Sequence, residues 1–212
     1  MVRWTPRRRP GRLPLVEYAR TEAVFSVTAG TKARVPVFAD ARVTEVAVDV
    51  LRAHVEKTKV VVYAYCFMPD HVHLVLRPSR TCDVVTFVGQ FKNLCQRAAW
   101  QLGVTGAFWQ SSFHDHALRF SDQLETFVGY VLNNPVRGGL VQRWQEYPFA
   151  GSLAFTAEQL ATDREFTGAF LAGGKPPHHS GGGCTVAQVD GVTGETPHHS
   201  GGVTRENATG RL

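Results

Sequence analysis

The chain has 212 residues, enough for one domain of ordinary size with extensions. A hydrophobic content of 43% supports a packed core, and a net charge of +5 favours a polyanionic partner without requiring one. The longest apolar run, 60–68, is half of what a bilayer span needs, and no apolar stretch follows the charged N-terminus, so the expectation is a cytoplasmic protein with no membrane segment.

Residues 1–20 form a basic arm, with Arg3, Arg7, Arg8, Arg9 and Arg12 set among Pro6 and Pro10. Such an arm is expected to be flexible, and it reads equally well as a phosphate-contacting tail or a solubilising terminus. A first strand is predicted over 23–28, where Val24, Phe25 and Val27 supply β-propensity. Asp40 is a good N-cap for a helix to about Val55, with Val43, Val46, Val50 and Leu51 at helical spacing. The β-branched and aromatic run 60–67 predicts a central strand. Met68-Pro69-Asp70 then supplies a turn, and 71–77 returns as its hairpin partner. A second helix is predicted over 83–102, with an apolar stripe that includes Phe87, Phe91, Leu94 and Cys95, and with Lys92 and Arg97 on other faces.

A fourth strand is expected over 112–120. Ser121 caps a third helix that must stop before Pro135. The order is β-α-β-β-α-β followed by a helix. It predicts an α+β, ferredoxin-like split β-α-β fold, with an antiparallel four-stranded sheet, helices on one face and a further C-terminal helix that carries Tyr130. The domain is expected over 21–155, with 156–212 an extension lacking apolar content from about 171. There the Pro-His-His-Ser-Gly-Gly of 177–182 recurs at 197–202, and disorder is expected. Cys66, Cys82, Cys95 and Cys184 stand too far apart for a C-x-x-C pair.

The informative stretch is 65–76. On a strand, His71 and His73 point one way while Val72, Leu74 and Leu76 point the other. Two imidazoles about 6–7 Å apart at the backbone can converge on one divalent ion. The pair alone is a weak motif and more often marks two half-exposed histidines on an amphipathic strand. Tyr130 and Asn134 lie four apart on one helix face. An amide oxygen suits a hard cation such as Mg²⁺ or Mn²⁺ as a third ligand, and a tyrosine beside such an ion can attack a phosphodiester. A second pair, His114 and His116, brackets an acid and is expected to line the rim of the site. Lys92, Arg97, Arg119, Arg137 and Arg143 are candidates for phosphate contacts, and Phe108 and Trp109 for base stacking or for the core.

Four segments in series resemble the REP-associated tyrosine transposases, relatives of the single-tyrosine HUH transposases of insertion sequences. They are Tyr-Cys-Phe-Met-Pro-Asp-His-Val-His-Leu at 65–74, Phe-Trp-Gln at 108–110 with His114-Asp115-His116, Tyr-Val-Leu-Asn-Asn-Pro-Val-Arg at 130–137, and Tyr-Pro-Phe-Ala-Gly-Ser at 147–152. The resemblance covers roughly residues 20–155. The first strand departs from it in lacking a His and an Arg, and Gly138 stands where an Ala is usual. The resemblance implies that His71, His73 and Asn134 hold a divalent metal and that Tyr130 forms a 5′-phosphotyrosine while releasing a 3′-hydroxyl. It further implies a substrate of single-stranded DNA with a hairpin or palindromic repeat, and a possible homodimer. The alternative is a hairpin-DNA binder that keeps the fold and no longer cuts.

Overall fold

In the computed structural model, residues 18–118, 124–162 and 185–186 are described. The strand β1 (Phe25–Gly30) leads by two short 3-10 turns to the helix α1 (Ala41–Thr58). The Asp40 side chain caps α1 by accepting the Arg42 N–H, and Lys59 ends it in the left-handed conformation. The strands β2 (Val61–Met68) and β3 (His71–Arg77) form the hairpin read from the sequence. Next come α2 (Val84–Gln101), capped by Asp83, and β4 (His114–Ala117). The helix α3 (Leu124–Leu132) stops two residues before the Asn134-Pro135 bond, and a single turn, α4 (Asn134–Arg137), resumes after it. A two-residue strand β5 (Ala150–Gly151), a last helix α5 (Ala157–Thr162) and a two-residue strand β6 (Thr185–Val186) complete the described elements.

The sheet runs β5-β2-β3-β1-β4-β6, and every pairing is antiparallel. Its four principal strands, in the order β2-β3-β1-β4, make the split β-α-β plan. The expected count of four is corrected to six by the short strands at either edge. The basic arm to residue 17, Arg119 and the Ser121 cap lie outside the described residues, as does the tail apart from β6.

Strand alternation divides the hydrophobic residues between two faces. Phe25, Val27 and Ala29 of β1, Tyr65 and Phe67 of β2, and Val72, Leu74 and Leu76 of β3 pack against α1 and α2. Ala64, Cys66, Met68 and Val75 face the other way, where Phe127, Val128, Val131 and Leu132 of α3 cover them with Leu160 of α5. A register shift between Val62 and Ala64 keeps both Val62 and Tyr65 on the α1–α2 face. The chain therefore belongs to the packed body at least as far as Leu160.

One expectation about α2 is corrected. Leu94 is 42% exposed, whereas Lys92 and Gln96 are buried. Lys92, Gln96 and Ala99 share a stripe at i, i+4 and i+7, so the buried arc is turned away from Leu94 and towards the polar pair. Leu74, by contrast, sits in the central strand at 1% exposure. Leu74→Ala is expected to lower unfolding stability by about 2–5 kcal/mol and Leu94→Ala by less than about 0.5 kcal/mol. Urea denaturation of both variants checks the assignment, and equal losses would refute it.

Candidate active site

The register of β3 decides which residues share the open face. His73 pairs with Cys66 on one side and Thr28 on the other, and His71 pairs with Met68 and Gly30. Directly paired residues in an antiparallel sheet project to the same face. The two histidines therefore stand with Cys66, Met68 and Val75 on the face that α3 covers. Their Nε2 atoms are 3.0 Å apart. The Nδ1 of His71 lies 2.5 Å from Asp70 Oδ1, and the Nδ1 of His73 lies 2.9 Å from Thr28 Oγ1.

This arrangement fits a metal ion. A carboxylate only accepts, so the Nδ1 of His71 carries the proton and its Nε2 presents a lone pair to the Nε2 of His73. Two ring nitrogens this close require a shared proton or a cation. Two nitrogens bound at about 2.1 Å and at right angles around one ion stand about 3 Å apart. A carboxylate and a hydroxyl behind ligating imidazoles are the usual outer supports of such a pair. Burial above all pushes His73 down to about 3, so its ring is neutral at neutral pH. Among the described residues no group of three or more His, Cys, Asp or Glu side chains is placed to hold a metal.

Tyr130 is half-buried at the edge of the apolar cluster beneath α3. The Arg137 guanidinium lies 3.7 Å from its ring centroid and donates to its backbone carbonyl at 2.9 Å. Arg137 also donates to Asn134 Oδ1 at 2.6 Å, so the amide oxygen expected to serve as a metal ligand already has a partner. The Asn134 side-chain nitrogen donates to the Val131 carbonyl at 3.1 Å. The turn after α4 meets the hairpin directly. A Cβ on Gly138 would stand 2.8 Å from Met68 Cε, and Met68 is the strand partner of His71. Asn134 and Arg137 are thus anchored at the histidine end of the sheet. Burial pushes the Cys66 thiol, on the same face, up to about 12, which rules it out as a nucleophile at neutral pH.

The second histidine pair shares this face. His114 pairs with Thr28 and His116 with Ser26, and the His116 ring stacks on Phe127 of α3 at 5.7 Å. His73, Thr28 and His114 form one row across three strands, with β1 between the two pairs.

Three nucleic-acid candidates, Lys92, Trp109 and Phe108, are corrected. Lys92 is 5% exposed, and its ammonium donates to the carbonyls of Gln110 at 2.6 Å and Ser112 at 3.3 Å. It holds a loop in place and is closed to phosphate. Trp109 packs in the core against Phe38, Phe91 and Phe108, so neither it nor Phe108 offers a face to a base. Arg97 is exposed, but on the helix layer opposite the histidines. Sequence reasoning missed Asp70 and Thr28. Asp70 could have been suspected from its place before His71, whereas Thr28 depends on a register that the sequence does not state.

The family described as "Transposase IS200 like" matches residues 21–134. Similar curated proteins include the REP-associated tyrosine transposase of Escherichia coli K12, 25% identical over 41% of this chain and 51% of that protein. A Haemophilus influenzae Rd protein provisionally named a REP-associated tyrosine transposase is 24% identical over 41% of this chain and 56% of its own length. This chain thus spans about half the length of the curated relatives it matches. A solved REP-associated tyrosine transposase bound to a REP hairpin superposes with a TM-score of 0.53 at 20% identity, covering 61% of this chain and 76% of that one, and shares the fold.

The Lys92 contact makes a pH-dependent prediction. Burial pushes its ammonium down to about 8 from 10.5. Below pH 8 the folded and unfolded chains both hold the proton. Between the two values the unfolded chain holds more, so stability rises with pH across that window. The shift corresponds to up to about 3 kcal/mol. Urea unfolding of the natural protein and Lys92→Met at pH 7.5 and pH 10 should show the natural protein gaining on the variant. Parallel behaviour of the two would refute the burial of a charged Lys92.

Proposed function

This chain belongs to the IS200-like transposase family, and on that footing we propose that it cuts and rejoins single-stranded DNA through a covalent bond to Tyr130. The observation that carries the proposal is the facing pair of Nε2 atoms at 3.0 Å, each ring braced from behind, on the sheet face that the tyrosine-bearing helix covers. His71 and His73 would hold a divalent cation, Mg²⁺ or Mn²⁺, with Asn134 as the third ligand once Arg137 turns from its amide oxygen to a DNA phosphate. When bound, the cation supplies the Lewis acidity that polarises a phosphodiester.

The reaction exchanges one phosphodiester for another. Tyr130 Oη forms a bond to phosphorus as the bond to the 3′ oxygen breaks, and the phenol proton ends on the released 3′-hydroxyl. The DNA stays attached through a 5′-phosphotyrosine, so a later attack by a 3′-hydroxyl rejoins a strand without any nucleotide cofactor. His114 and His116 would line the bound strand and Arg137 would take a phosphate; Arg7, Arg8, Arg9 and Arg119 would add backbone contacts. The solved relative bound to a REP hairpin supports a hairpin-bearing strand as substrate. Action as a homodimer in the cytoplasm is part of the same reading. A second reading, a hairpin binder that no longer cuts, is favoured by one contact. Arg137 covers the Tyr130 ring and engages Asn134 at the same time.

Incubation of the protein with end-labelled hairpin DNA and Mn²⁺, followed by denaturing electrophoresis, separates the two. A label-bearing protein band is expected. It should vanish in Tyr130→Phe, with EDTA and in His71→Ala, and Thr28→Val, which removes the hydroxyl behind His73, should weaken it by about 10–100-fold. Tight binding with no covalent band across several hairpins and metals would overturn the enzyme in favour of the binder.

A further inference from the structure

We propose that the end of β1 beside His71 is a phosphate track for a single DNA strand, built by Gln110, Lys32 and Arg34, that leads the strand to the histidine pair. The proposal rests on the reading of that site as a DNA-processing centre. It begins with Gly30, the strand partner of His71. A Cβ there would meet Cδ, Oε1 and Nε2 of Gln110 at 3.3–3.4 Å. Because Gly30 has no side chain, the Gln110 carboxamide lies across β1 on the histidine face, one strand from His71.

The chain fixes Gln110 in that place. Segment 108–110 prolongs the sheet along the end of β1, with Thr31 bridging Trp109, Lys32 N–H donating to the Phe108 carbonyl and Gln110 N–H to the Gly30 carbonyl. Buried Lys92 grips the Gln110 carbonyl. The backbone is held on both sides, yet the carboxamide has no hydrogen-bond partner among the described residues. It is a positioned polar group with its donors and acceptor unfilled.

The chain beyond Gly30 adds charge to the same end. Thr31 is buried, and its hydroxyl donates to the carbonyls of Val35 and Asp70. Ala33 and Arg34 both adopt the left-handed conformation, at φ 51° and 56°. This turn, tied to the tip of the β2–β3 hairpin, presents Lys32 and Arg34 to solvent. The Arg34 side chain is 83% exposed, and among the described residues its ion pair is a 3.7 Å contact with Asp70, the carboxylate behind His71.

Two cations and an amide donor suit phosphate oxygens. The nearby aromatics, Phe108 and Trp109, are packed in the core and give no stacking platform. Contact here is therefore with the backbone, and it positions a strand without reading its sequence.

Fluorescence anisotropy with the full chain in EDTA, using a labelled hairpin with a single-stranded flank across a series of salt concentrations, tests the track apart from catalysis. Lys32→Ala with Arg34→Ala should weaken binding several-fold. It should also reduce the slope of log affinity against log salt by about 1.4, near 0.7 for each lost contact with a single strand. Lys32→Arg with Arg34→Lys should restore both. Gln110→Ala should weaken binding with the slope unchanged, and Arg97→Ala, on the opposite layer, should change neither. A double alanine variant that melts and binds as the natural protein does would overturn the track alone. Failure of the natural protein to bind any strand would overturn the track together with the DNA-processing reading.

Discussion

The position of β3 between β1 and β2 is the constraint from which the site follows. Side chains on a strand alternate with a period of two, so a slip of one residue would carry a whole set to the other face. In the observed register Val72, Leu74 and Leu76 are buried against α1 and α2. Their exposure to solvent would cost several kcal/mol. That apolar penalty, acting on residues with no chemistry of their own, holds His71 and His73 on the open face. The same register brings Thr28 behind His73 and bare Gly30 beside His71.

The two faces treat polar side chains differently. On the α1–α2 face, Lys92 and Gln96 are buried, and their polar groups go to the main chain of the loop before β4. Lys92 takes the carbonyls of Gln110 and Ser112, and Gln96 takes the Gly106 carbonyl and the Phe108 N–H. Buried polar groups with partners of this kind give a loop one conformation in place of many. On the histidine face, the Nε2 atoms of the pair meet each other at 3.0 Å, and the Gln110 carboxamide lies over Gly30. The loop is gripped from the core side so that it can present a side chain on the other.

Much of this could be read from the residues. The alternation in 71–77 placed both histidines on one face, and the order of elements gave the split β-α-β plan. The Tyr130–Asn134 spacing read as one helix face, whereas the helix of Tyr130 ends at Leu132 and Asn134 opens the separate turn α4. What escaped the reading depends on contacts between distant segments. Thr28 and Gln110 acquire their places only through strand register, at separations of 45 residues from His73 and 80 from Gly30. Lys92 was misread because the apolar stripe was centred near Leu94, and Ala99, seven residues beyond Lys92 on the same stripe, carries too weak a signal to turn it. Trp109 sits in a segment that reads as an exposed loop, yet that segment extends the sheet and turns the indole inward.

The tyrosine depends on the same hairpin as the histidines. The helix α3 has nine residues, and an isolated helix of that length is marginal in water. It is held by Phe127, Val128, Val131 and Leu132, which bury against Cys66, Met68 and Val75 on the strands that carry the pair. Tyr130 and the histidine pair therefore share one foundation and need no separate scaffold to bring them to one face. Arg137 adds the polar half of this attachment, joining the Tyr130 ring and carbonyl to the Asn134 amide. The apolar half sets which face the helix occupies, and its strength does not depend on the charged contact.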